Sequence, residues 1–130
     1  MKHYILRDKE VVETSDSKEW ATFMAHGNRV LEKTVVDEVL ISTIFTGVDH
    51  APNLVKYLIS DCDGLFFETA IIGGRLDGVR YRYESWIEAL DGHQEVVNLV
   101  KEEVVGVKET KSVPEERWKI LSKTRFLRPL

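Results

Sequence analysis

The chain has 130 residues, 43% of them hydrophobic and 31% charged, with a formal net charge of −4. That length supports one modest core and is too short for two, and the composition is that of an ordinary globular protein. No apolar run is long enough to cross a bilayer, and the opening "MKHYILRDKEVVE" carries no apolar signal segment, so no membrane partner is expected.

"KHYILRDKEVVE" reads as two short extended pieces around Arg7–Lys9, a small hairpin. "SDSKEWATFMAHGN" reads as a short helix. Asp16 or Ser17 caps it, Glu19 stands at capping-box spacing from Asp16, and Gly27–Asn28 ends it. The β-branched density of "RVLEKTVVDEVLISTIFTGVD" predicts two strands joined near Asp37–Glu38. The second alternates a face read as apolar (Val39, Ile41, Thr43, Phe45) with a half-polar one (Leu40, Ser42, Ile44, Thr46), as in a sheet that covers a core on one side.

"GVDHAPNLVKYLISDCDG" reads as a loop in which "NLVKYLI" could be a helical turn or a strand. The single Cys62 can form no internal disulfide, which fits a reducing compartment. Asp61 and Asp63 beside it would raise its pKa and make it a poor nucleophile. Next come the strand "LFFETAII", the turn "GGRLDG" and the strand "VRYRYES". Ser85 and Glu88 have capping-box spacing at the head of a long helix. Its apolar stripe is Trp86, Leu90, His93, Val97, Val100 and Val104.

The charge is unevenly distributed. Residues 1–105 hold 11 Lys+Arg against 19 Asp+Glu, and residues 106–130 hold 7 against 3. An acidic body argues against nucleic-acid binding, which needs a cationic surface. The basic tail reads as a linker and a short amphipathic helix, "EERWKILSKTRF". Trp118, Arg125 and Arg128 are its candidate partner contacts, either to the acidic body or to a neighbouring subunit of a homo-oligomer. The expected architecture is α+β: an antiparallel meander of about four strands with a long helix on one face, plus short N- and C-terminal helices. Residues 1–105 form the single domain, and 106–130 a basic C-terminal extension.

Within this frame one residue stands out. Glu68 is a lone carboxylate on an apolar strand, where an ionised group needs a partner. Pairing across "GGRLDG" brings Arg80 or Arg82 within reach, and the same groups could instead line a ligand pocket. Arg75, Arg80 and Arg82 are the natural contacts for an anion. The glycine turn leads into a strand and not a helix, so it reads as a turn supplying positive φ and not as a phosphate loop. Asp49 and His50 close the preceding strand. With Glu68 they make a weak candidate metal or general-base set, while an Asx-turn is the expected role for Asp49. His93, on the helix stripe, is expected to be a hydrogen-bonded core histidine. No cofactor motif is present.

The blocks "STIFTGVDH", "LFFETAIIGGRLDG" and "RYESWIEALDGH", in this order, resemble a family of small proteins encoded by tailed bacteriophages and prophages. The matching positions are Ser42, Thr43, Phe45, Gly47, Asp49 and His50; then Phe67, Glu68, Thr69, Gly73, Gly74, Asp77 and Gly78; then Arg82, Tyr83, Trp86, Glu88, Ala89, Gly92 and His93. The chain departs from that pattern in its longer loop after His50 and in its basic extension. The resemblance brings no established activity. It implies a phage origin, action in the host cytoplasm, and a place for Asp49, His50, Glu68 and Arg82 in the core motifs. The expected function is therefore non-enzymatic binding, of a host protein or of a small anionic ligand. The alternatives are a phage assembly accessory, or a small metal-assisted hydrolase or nuclease using Asp49, His50 and Glu68.

Overall fold

The computed structural model describes residues 2–51, 63–107 and 126–128. It opens on a hairpin of β1 (His3–Arg7) and β2 (Glu10–Thr14), joined through Asp8 and Lys9 at φ 49° and 70°. Two consecutive positive-φ residues give a turn whose twist matches that of the strands it joins. In α1 (Ser17–His26) the Asp16 carboxylate accepts the N–H groups of Lys18 and Glu19. The expected capping box is only half made. Glu19 turns instead to Arg7 (3.0 Å) and to the Thr14 hydroxyl (2.7 Å), which ties the helix to the hairpin.

Strands β3 (Val30–Val36) and β4 (Val39–Phe45) meet at Asp37, φ 53°. β5 (Phe67–Ile72) and β6 (Arg80–Tyr83) continue the meander, and α2 (Trp86–Val107) lies across it. A short fifth strand, β7 (Phe126–Arg128), pairs with β6, so the antiparallel order is β3-β4-β5-β6-β7. Phe126, read from sequence as the end of a helix, is therefore in a strand: the free edge of β6 offers amides and carbonyls that an extended segment can satisfy. Its register sets Arg128 opposite Arg80. The rest of that expected helix, with Trp118 and Arg125, lies outside the described residues, as do Cys62 and "NLVKYLI".

Strict alternation builds the core. Ile41 and Phe45 of β4, Phe67 and Ile71 of β5, and Tyr81 and Tyr83 of β6 are essentially inaccessible beneath α2. The helix buries Ala89, His93, Val96, Val97 and Val100 against them. Trp86, Leu90 and Val104, expected on the same apolar stripe, are half-buried. No helix among the described residues is long and apolar enough to cross a membrane.

Candidate functional site

Successive side chains of a strand point to opposite faces, so the even-numbered residues of β4, β5 and β6 form the face turned away from α2. Register sorts this outer face into rows. Val35, Leu40 and Ile72 stand side by side across β3, β4 and β5. Lys33, Ser42, Ala70 and Arg80 make the next row, and Ile44, Glu68 and Arg82 the one after. Val35 and Ile72, on either side of the half-buried Leu40, are 66% and 51% exposed, unusual for large aliphatic side chains on one sheet face.

Glu68 is 8% exposed and fully neutralised. Arg82 Nε donates to its Oε1 at 3.2 Å, and Arg80 Nη1 lies 3.7 Å from its Oε2. A carboxylate can occupy this apolar strand because two guanidinium groups offset its desolvation. The two arginines differ: the Arg82 side chain is 14% exposed and that of Arg80 is 46% exposed. Two cations and one anion leave one positive charge, and Arg80 carries it to the surface.

Asp49 and His50 join the edge of this cluster. Asp49 Oδ1 accepts the N–H of Ala51 (2.8 Å), an Asx-turn, and also that of Leu65 (2.9 Å), which fixes the approach to β5. The His50 N–H donates to the Leu65 carbonyl at 2.9 Å. Burial, then the Arg82 charge and more weakly that of Arg80, hold the His50 pKa below its ordinary value, against the opposing pull of Glu68 and Asp49. Burial and the Arg82 charge thus favour the neutral form of the His50 imidazole. Asp49, His50 and Glu68 do not form the metal set considered from sequence. Asp49 is turned to backbone amides and Glu68 to arginine, and no group of three His, Cys, Asp or Glu among the described residues could hold a metal ion.

Arg75 does not belong to this cluster. The 73–78 turn carries it to the opposite end of β5, where it pairs with Glu103 of α2 at 3.0 Å. The turn is closed on itself: the Gly73 N–H donates to the Asp77 carboxylate (2.7 Å) and the Gly78 N–H to the Ile71 carbonyl (2.9 Å). These amides are therefore spent on the turn, and Gly73, Gly74 and Gly78 all lie at positive φ. His93 is a satisfied core group, 0% exposed, with Nδ1 2.6 Å from Thr43 Oγ1 and Nε2 2.8 Å from Thr34 Oγ1. Burial lowers its pKa against a smaller opposing effect of Glu32.

Sequence reasoning missed Lys33 and Val35 as members of the outer face, and Glu103 as the partner of Arg75. The strand alternation contains the first two, but only the cross-strand register gathers them beside Glu68 and Ile72. Comparison with protein-family models, with curated proteins and with solved structures finds no match.

Proposed function

We propose that this chain is a phage-encoded, non-enzymatic binding protein that acts in the host cytoplasm by engaging an acidic segment of a host protein. The outer sheet face is its contact surface. The observation that carries this reading is the mixed character of that face: an aliphatic row, Val35–Leu40–Ile72, with its two outer members exposed and Leu40 half-buried between them, lies directly beside a row that ends in the half-exposed Arg80. Arginine next to exposed apolar surface is the composition of a protein-binding patch. Glu68 holds the guanidinium groups in place, so that Arg80 meets an anionic group with its geometry already set. A free small anion could use Arg80 but would gain nothing from Val35 and Ile72. The three blocks that resemble the phage pattern supply Asp49, His50, Glu68 and Arg82 to this cluster.

The test is affinity capture from bacterial lysate with the wild-type chain, Arg80→Glu and Ile72→Lys, read by quantitative mass spectrometry. One partner enriched by the wild type and lost with both variants is the expected result. Capture indifferent to both substitutions overturns the reading. Native mass spectrometry of the purified chain adds a second arm. A retained small mass that disappears in Arg80→Ala would replace the host protein with a sequestered anionic metabolite.

A further inference from the structure

On the helix side of the sheet, at the end of β5 remote from Glu68, a cavity of about 240 Å³ opens between the 73–78 turn and the last turns of α2. Val39, Ile71, Leu76, Val100 and Val104 wall it. Its charged lining, among the described residues, is the Arg75–Glu103 pair, 3.0 Å apart. The two partners are unequal. The Glu103 side chain is 8% exposed and that of Arg75 is 55% exposed.

That inequality decides which partner can be exchanged. Glu103 is rooted in α2 beside Val100 and Val104, and a carboxylate at that depth must keep a cation. The Arg75 guanidinium already stands half in water at the surface of a turn, so rotating it outward costs little solvation. An incoming cation can therefore take its place on Glu103. An incoming carboxylate would bring a second negative charge against Glu103 in a poorly solvated site. A neutral molecule would gain only transfer into the aliphatic walls.

We infer that this cavity is a binding site for a small apolar cation, whose ammonium group replaces Arg75 on Glu103 while its hydrocarbon body fills the space between Val39, Leu76 and Val104. A dry cavity of roughly 150 Å³ holds benzene, so this one accommodates an aromatic ring with a short tail. The site shares no residue with the outer face and stands or falls separately from it.

The probes are 2-phenylethylammonium, the equally sized 2-phenylethanol, and phenylacetate. Each is titrated into the full chain and followed through the amide resonances of residues 73–78 and 100–104. The ammonium compound should bind about tenfold more tightly than the alcohol, and phenylacetate should leave these resonances unmoved. Arg75→Ala removes the competing guanidinium and should tighten the ammonium compound severalfold. Glu103→Gln should bring the ammonium compound and the alcohol to equal affinity. Equal binding of the two by the wild type overturns the inference, as does weakening in Arg75→Ala or absence of any shift at millimolar probe. If Glu103→Gln does not fold, the Arg75→Ala arm decides alone.

Discussion

Gly92 of α2 rests directly on the ring of Tyr83. A Cβ built at Gly92 would fall inside the van der Waals envelope of the ring and 2.7 Å from its hydroxyl oxygen. Tyr83 is itself 0% exposed in β6, so the ring has nowhere to retreat. Helix propensity alone says that Gly92→Ala should stabilise α2 by about 1 kcal/mol. Packing says the reverse, because overfilling a tight core costs roughly 1–3 kcal/mol or more. Packing should win: Gly92→Ala is expected to lower the urea midpoint, while Asn98→Ala on the exposed side of the same helix leaves it within about 0.5 kcal/mol of wild type. A stabilised Gly92→Ala would mean that α2 does not lie this close to β6.

Glu68→Gln and Arg80→Ala should separate in stability. Removing the Glu68 charge leaves Arg82, 14% exposed, beside a neutral amide, and breaking a buried pair in this way costs about 3 kcal/mol. Arg80 is 46% exposed and 3.7 Å from its partner, so its loss should cost less than about 1 kcal/mol. Denaturant melts of the two variants check this. Equal costs would mean that the carboxylate leans on both arginines alike, and an unaffected Glu68→Gln would free Glu68 for a ligand.

The pairing of Glu68 with arginine is legible in the sequence because period-two alternation puts Glu68 on one face of its strand and Arg80 and Arg82 on one face of the next. The choice of Arg82 as the closer partner is not, since it depends on the register Glu68↔Arg82. Hydrogen bonds within the 73–78 turn set that register. Arg75 illustrates the opposite limit. It is near Arg80 in sequence, but the turn sends it to the far end of α2, and nothing local to "GGRLDG" announces Glu103. Capping shows a third kind of limit. Ser85 Oγ accepts the Glu88 N–H at 3.2 Å as the motif predicts, yet the Glu88 carboxylate takes the N–H of Glu84 (3.3 Å). Glu19 departs further, drawn off by Arg7 and Thr14, a tertiary competition invisible in the spacing.

One carbonyl at the end of β4 binds both the hairpin and α1, beside the ring contacts Tyr4–Phe66 and Phe23–Phe45. Gly47 O accepts the Tyr4 N–H (3.0 Å) and Trp20 Nε1–H (3.1 Å), and Trp20 stacks on His3 with ring centroids 4.0 Å apart. Trp20→Phe keeps most of the apolar surface and deletes the indole donor, so it should cost about 1 kcal/mol. Hydrogen exchange should quicken in residues 3–14 while the β4–β5 ladder stays protected. Uniform acceleration across the whole chain would show instead that the hairpin and the sheet open as one unit.

Stability should fall between pH 6.5 and 5, and His93 should carry part of the fall. Burial places the pKa of His93 in the folded chain below the ordinary histidine value of 6.5, which the unfolded chain retains. Below pH 6.5 the unfolded state therefore binds more protons than the folded one. Stability is complete above that value and declines as the pH drops toward the folded pKa, by at most about 1.4 kcal/mol per pH unit for each such histidine. His50, lowered by burial and Arg82, acts in the same direction. Most free carboxylates titrate at about 4, so this window belongs mainly to the two histidines. Urea midpoints at pH 7.5 and 5.5 measure the fall. His50→Gln should remove part of it at little cost at pH 7.5. His93→Gln should lower stability at pH 7.5, because Thr34 and Thr43 lose a partner each, and should still flatten the dependence on pH. A dependence that survives both substitutions intact would place the titrating group elsewhere and leave the Thr34–His93–Thr43 bridge a purely steric element of the core.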